Sequence, residues 1–199
     1  MSDACKWTGT FIVVALLFST ACLRVPGRHY YQVRATLETA RETVLPGKVL
    51  IVGQVEMDDF YDNYRIVYRD SPYQVNHYLY HLWFRKPTQM IRETVLESFK
   101  VGNVFTRVLD SLAEGDPDYL FKAKVLYMEE VYRGRQTMAR LGMELRLVDF
   151  RNDETLLFHS FDRREITTGK RIVDLVEMLS QILSEELQVF IDLAGKKSG

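Results

Sequence analysis

Cysteine is nearly absent from this chain: Cys5 and Cys22 are the only two in 199 residues. Both precede the candidate folded body, so no disulfide framework braces it and a hydrophobic core must carry its stability. An excess of charge is lacking too. Lys and Arg number 26 against 27 Asp and Glu, a net charge of −1. That balance supplies neither a broad basic field for nucleic acid nor a polybasic membrane patch. A bilayer-spanning helix needs about 20 apolar residues. The run from Phe11 to Phe18 stops short of that, with Arg24, Pro26 and Arg28 close behind. There is no phosphate-wrapping loop either: Gly169-Lys170-Arg171 lacks the preceding glycines that cradle phosphates with backbone amides.

What is present at the amino terminus is a short apolar segment, the small residues Ser19, Thr20 and Ala21, and then Cys22. The segment has the length of a secretory h-region, and the whole resembles a bacterial lipoprotein signal with its lipobox. The resemblance implies cleavage before Cys22, a diacylglyceryl group on its thiol and a further acyl chain such as palmitate on the new amino terminus. Two acyl chains already anchor a protein stably. An ordinary secretory signal cut near Ala21 and a strained anchor helix are the alternatives. Asp3 and Lys6 leave together, so the mature net charge stays at −1. The expected organisation is a signal peptide over 1–21, a lipidated tether over 22–28 containing Val25-Pro26-Gly27-Arg28, and one domain over 29–195.

Within that domain His29–Val33 reads as a first strand and Lys48–Met57 as a second. Tyr64–Arg69 and Tyr73–Trp83 flank a turn at Asp70-Ser71-Pro72. Ile91, Val95 and Phe99 recur at helical spacing and predict an amphipathic helix over Thr88–Phe99, ended by Gly102-Asn103, with a short strand over Val104–Leu109. Alternation follows in Tyr119–Tyr127 and Leu141–Leu147, with a third strand over Thr155–Glu165. A wide apolar stripe from Ile172 to Leu193 predicts a closing helix over Lys170–Leu193, capped by Thr167 or Thr168, with Gly195 just past its end. The expected fold class is α+β: a mostly antiparallel sheet covered by two helices, including the long C-terminal one, and preceded by the signal peptide. A coiled-coil seam along Ile172, Leu175, Leu179 and Ile182 is the alternative for that stripe, although Glu186 breaks it.

Chemistry-bearing residues are few. His77 and His81 share a helix face if helical, but on a strand of about 3.3 Å rise they stand about 13 Å apart, too far for one zinc ion. The pairs Asp58-Asp59 and Glu129-Glu130 point to opposite faces of a strand and are expected to solvate strand ends. Ser160 beside His159 has no Gly-x-Ser-x-Gly elbow around it. No catalytic, cofactor-binding or metal-binding set emerges. The tyrosine-rich segment Phe60–Tyr64 offers Tyr61 and Tyr64 as a partner interface, and a packed hairpin tip is the alternative.

Several segments in order carry a wider resemblance: Tyr30-Tyr31-Gln32-Val33, then Tyr80-His81-Leu82-Trp83-Phe84-Arg85-Lys86-Pro87 running into a helix, Asp118-Tyr119-Leu120 opening a strand, and the final helix. With the export signal they resemble the ABC-type transport auxiliary lipoproteins, which include the paraquat-inducible C-type lipoproteins. The resemblance implies an accessory part of an envelope lipid-transport system and no catalysis by this subunit. Its partners would be a periplasmic Mce-domain protein and, indirectly, a permease with its ATPase. It also implies attachment to the membrane through Cys22 and allows a homo-oligomeric ring. Leu23, where Asp would retain an enterobacterial lipoprotein in the inner membrane, points to the outer membrane. A scaffold lipoprotein for outer-membrane or cell-wall assembly is the alternative function.

Overall fold

The computed structural model describes residues 27–38 and 44–198. Cys22 and the expected signal peptide lie outside the described residues. Eight strands form one sheet: β1 (His29–Tyr31), β2 (Leu45–Met57), β3 (Arg65–Ser71), β4 (Gln74–Trp83), β5 (Phe105–Leu109), β6 (Tyr119–Arg133), β7 (Gln136–Asp149) and β8 (Thr155–Ile166). Among the described residues two α-helices join them, α1 (Pro87–Val101) and α2 (Ile172–Ser198).

The long alternating stretch is the organiser. β6 pairs antiparallel with β7 over its whole length, and β7 pairs antiparallel with β8. The other edge of β6 is shared. β2 runs parallel to its first half, Tyr119–Val125, and β3 parallel to Glu129–Val131. β5 lies outside β2, while β4 and then β1 lie outside β3. The sheet is thus mostly antiparallel in its long ladders and mixed where β6 forks. A bulge between Val125 and Tyr127 marks the fork, and the Tyr127 ring approaches so near that a Cβ on Gly142 would stand 2.9 Å from its Cδ2.

Both helices cover one face. Pro87 opens α1 at a position where its missing N–H costs nothing. Asp62 accepts from the Thr88 N–H and hydroxyl at 3.1 and 2.9 Å, capping the helix from outside. Met90, Ile91, Val95 and Phe99 face the sheet. From α2, Leu175, Leu179, Ile182, Leu183, Leu187 and Phe190 do the same, so the residues of the would-be coiled-coil seam are spent inside the domain. Phe121 of β6 takes Phe99 at 5.1 Å and Phe190 at 5.4 Å, both edge-on, and so joins the two helices to the central strand.

Three local expectations need correction. The first strand ends at Tyr31 because residues 32–38 leave the sheet as an extended strap between the helices. The Arg34 and Thr36 N–H groups donate to Ser180 and Ser184 of α2, at 3.1 and 3.0 Å. The Val33 and Ala35 carbonyls accept from Thr94 and Ser98 of α1, at 3.4 and 3.1 Å. Backbone groups that leave the sheet find partners elsewhere, and helix hydroxyls at i, i+4 spacing supply them on each side. Thr167 does not cap α2: its one hydroxyl proton is directed at the Gly169 carbonyl at 2.6 Å and shared with the Thr137 carbonyl at 3.0 Å. Asp174 reaches back to the Arg171 N–H at 2.9 Å instead. Gly195 lies within α2, which runs on to Ser198.

Candidate functional site

No described helix lies on the face of the sheet opposite α1 and α2, and the most ordered feature there centres on Glu129. This carboxylate is 0% exposed. Arg69 of β3 donates to it twice, from Nε at 2.9 Å and Nη2 at 3.0 Å, and the Tyr61 hydroxyl donates at 2.9 Å. Arg140, its cross-strand partner on β7, donates from Nη1 at 3.0 Å and holds Asp162 of β8 with Nε and Nη2 at 2.8 and 2.7 Å. The Arg140 guanidinium also stacks 3.4 Å from the Tyr127 ring centroid. Bidentate geometry and ring stacking are what arginine does and lysine does not.

The network shifts its members as its geometry requires. Burial, and then the Glu129 charge, push the Tyr61 hydroxyl up to about 12. The hydrogen bonds from Arg140 hold Asp162 below the usual carboxylate range. Beside the network lies a groove of about 620 Å³ whose lining joins Arg69, Arg133, Arg140 and Arg164, with Asp70, to Val131 and Met138. That mix of arginines and apolar side chains suits contact with a partner's surface. Nothing in it lines up a nucleophile with a base.

Glu130 is buried on the other face, 1% exposed. Tyr78 and Tyr132 donate to its Oε2, and the two phenols lie 2.6 Å apart. Its Oε1 has no partner. Burial raises the Glu130 carboxyl above its ordinary value against the opposing pull of the two phenols, and raises Tyr78 as well. A raised carboxyl stabilises the fold below its unfolded value, and that contribution is lost as pH rises through the folded value. Glu130→Gln removes the titration while keeping an acceptor for the phenols. Its melting temperature relative to wild type is therefore expected to improve as pH is raised above the ordinary carboxylate range and to level off once Glu130 has ionised in the folded protein. Scanning calorimetry across that range checks the slope.

These placements overturn the expectation that Glu129-Glu130 solvate a strand end. The pair does point to opposite faces, but β3 and β7 flank this half of β6 and bury both. Asp58 and Asp59 are exposed at the end of β2, with Asp58 accepting from the Phe60 N–H. Tyr61 turns its hydroxyl into the network, whereas Tyr64 is 51% exposed near the start of β1. His77 bonds the Phe60 carbonyl at 2.9 Å. His81 meets the Tyr31 hydroxyl at 3.0 Å and stacks on His29; burial, and then His29, lower its pKa. His159 pairs with Glu186 of α2 at 2.7 Å, which accounts for the acidic residue in the apolar stripe. Among the described residues no three His, Cys, Asp or Glu side chains converge as metal ligands. Arg69 and Arg140 were not singled out in the sequence; Arg140 between Ala139 and Leu141 shows only the polar face of a strand, and nothing in Tyr68-Arg69-Asp70 marks Arg69.

Among solved structures, the fold is shared with protein XCC0632 from Xanthomonas campestris, of the family model DUF330. That structure is 18% identical, covers 84% of this chain and 93% of its own, and has a TM-score of 0.70. An uncharacterized protein at 18% identity covers 84% and 99%, with a TM-score of 0.67. The hypothetical protein CT253 from Chlamydia trachomatis, 8% identical, covers 76% and 97%, with a TM-score of 0.50. Among curated proteins none matches the chain. The family model for the ABC-type transport auxiliary lipoprotein component matches residues 31–188, and the chain belongs to that family.

Proposed function

We propose that this chain is the membrane-anchored accessory lipoprotein of an Mce-type ABC transport system that moves lipid between envelope membranes, and that it acts by docking to the Mce-domain component without catalysing a reaction. The observation that carries the reading is the family match over residues 31–188, nearly the whole domain. Residues 1–21 act as the signal, acylated Cys22 as the anchor, and residues 22–28 as the tether of a domain over 29–195, held at the periplasmic face of the outer membrane. Permease and ATPase are other chains. Among the described residues no helix is long and apolar enough to cross a membrane, so in this reading attachment falls to the acyl chains.

The uncovered sheet face supports docking. Its groove lies beside the Glu129 network, with Arg133 and Arg164 in its lining, and Tyr61 donates to Glu129 from within. Copies of the domain arranged as a ring would repeat that face around a conduit.

The test is a pull-down of the native protein from mildly solubilised membranes, with Cys22→Ser alongside. Recovery of an Mce-domain protein is expected, together with loss of the mutant from the membrane fraction. Repeated recovery of barrel-assembly or cell-wall proteins with no Mce component would overturn the transport reading in favour of a scaffold. A Cys22→Ser chain that stays membrane-bound would overturn the anchor.

A further inference from the structure

We propose that the surface formed by Arg28, Tyr30, Tyr64, Arg65, Leu79 and Tyr80 rests against the lipid surface that holds Cys22, setting the orientation of the domain. This rests on the acyl-anchor reading and goes beyond it. The six side chains line a hollow of about 690 Å³ whose lining contains no carboxylate. Tyr30, Tyr64 and Leu79 are 58%, 51% and 57% exposed, a concentration of large apolar surface where β1 begins and the tether joins the domain. Among the described residues neither Arg28 nor Arg65 makes an ion pair.

Chain length selects the occupant. Six residue steps separate Cys22 from Arg28, so the fully extended tether reaches at most about 22 Å. A domain of this size, with a radius of gyration of about 15 Å, is roughly 40 Å across. The tether therefore cannot bring the far side of the domain to the bilayer, and the surface around its own exit is the one that meets lipid. That surface has the matching chemistry: tyrosine rings settle at headgroup level, and arginine pairs with lipid phosphate. The contact need not be strong, because the anchor makes it intramolecular and raises its effective concentration.

The experiment uses the full acylated protein in vesicles of phosphatidylethanolamine and phosphatidylglycerol. An environment-sensitive thiol label is placed by Leu79→Cys, with Lys124→Cys on the uncovered sheet face as reference; acylation blocks the thiol of Cys22, so the new cysteine is the reactive one. Headgroup spin-labelled lipid is expected to quench the label at position 79 several-fold more than at 124. Omitting phosphatidylglycerol, or introducing Arg28→Gln with Arg65→Gln, should shrink that difference. Tyr64→Cys replaces Leu79→Cys if the latter misfolds. Equal quenching at both positions in protein that sediments with the vesicles overturns this contact and leaves the anchor standing. Protein that fails to sediment overturns the anchor and the contact together.

Discussion

Arg140→Ala is expected to lower the stability of the domain by about 2–4 kcal/mol, somewhat under the full cost of stranding a buried charge because Arg69 stays in place. Glu129 has no solvent to fall back on, and Arg140 is the cation that links it to Asp162 while stacking on Tyr127. Arg140→Lys should recover little, since an ammonium cannot reach both carboxylates in the plane of the ring. Combining Arg140→Ala with Glu129→Gln should cost less than the two changes summed, because the stranded charge has been removed with its partner. Chemical denaturation of the four variants measures this, and additive losses would show that Glu129 is solvated in the folded state. Acid gives a second reading. Asp162 is held low by Arg140, so its contribution is present above the unfolded carboxylate value and disappears as pH falls through the folded one. The deficit of Arg140→Ala relative to wild type should accordingly narrow on acidification.

The other large effect is expected at Phe121. Truncation to alanine deletes a ring that is 1% exposed and leaves a cavity between the central strand and both helices, for which about 3–5 kcal/mol is typical. The edge-on contacts with Phe99 and Phe190 go at the same time, and such pairs contribute about 0.5–1.5 kcal/mol beyond their buried area. In a domain of this size the melting temperature should fall by roughly 10 °C. Phe121→Leu fills most of the space and should lose clearly less. Calorimetry of both variants checks the order, and equal losses would place the cost in the edge-on pairing rather than in the cavity.

The two predictions differ in how readable their sites were. Phe121 stands in a run that alternates with Lys122 and Lys124, a period-two pattern that local sterics impose on any half-covered strand. The same is true of Leu141–Leu147, and the helical period of Ile91, Val95 and Phe99 is equally local. So the elements of the sheet, its two helices and the side of each that is buried were legible. The family resemblance came from the order of such segments. Glu129 and Glu130 were not legible, because alternation states which face a residue takes and says nothing about which strand lies beside it.

What the sequence by itself determined is therefore the set of elements and their faces, which follow from short-range periodicity, while the family was reached by the resemblance of a few segments in order. The tertiary structure alone decided the fork in β6, the strap of residues 32–38 between the helices and the burial of two adjacent carboxylates. Each of these depends on a partner far along the chain, such as Arg69 for Glu129 or Ser180 for Arg34. Backbone and charged groups will take any suitable partner that packing brings within reach, and the apolar core determines which one that is.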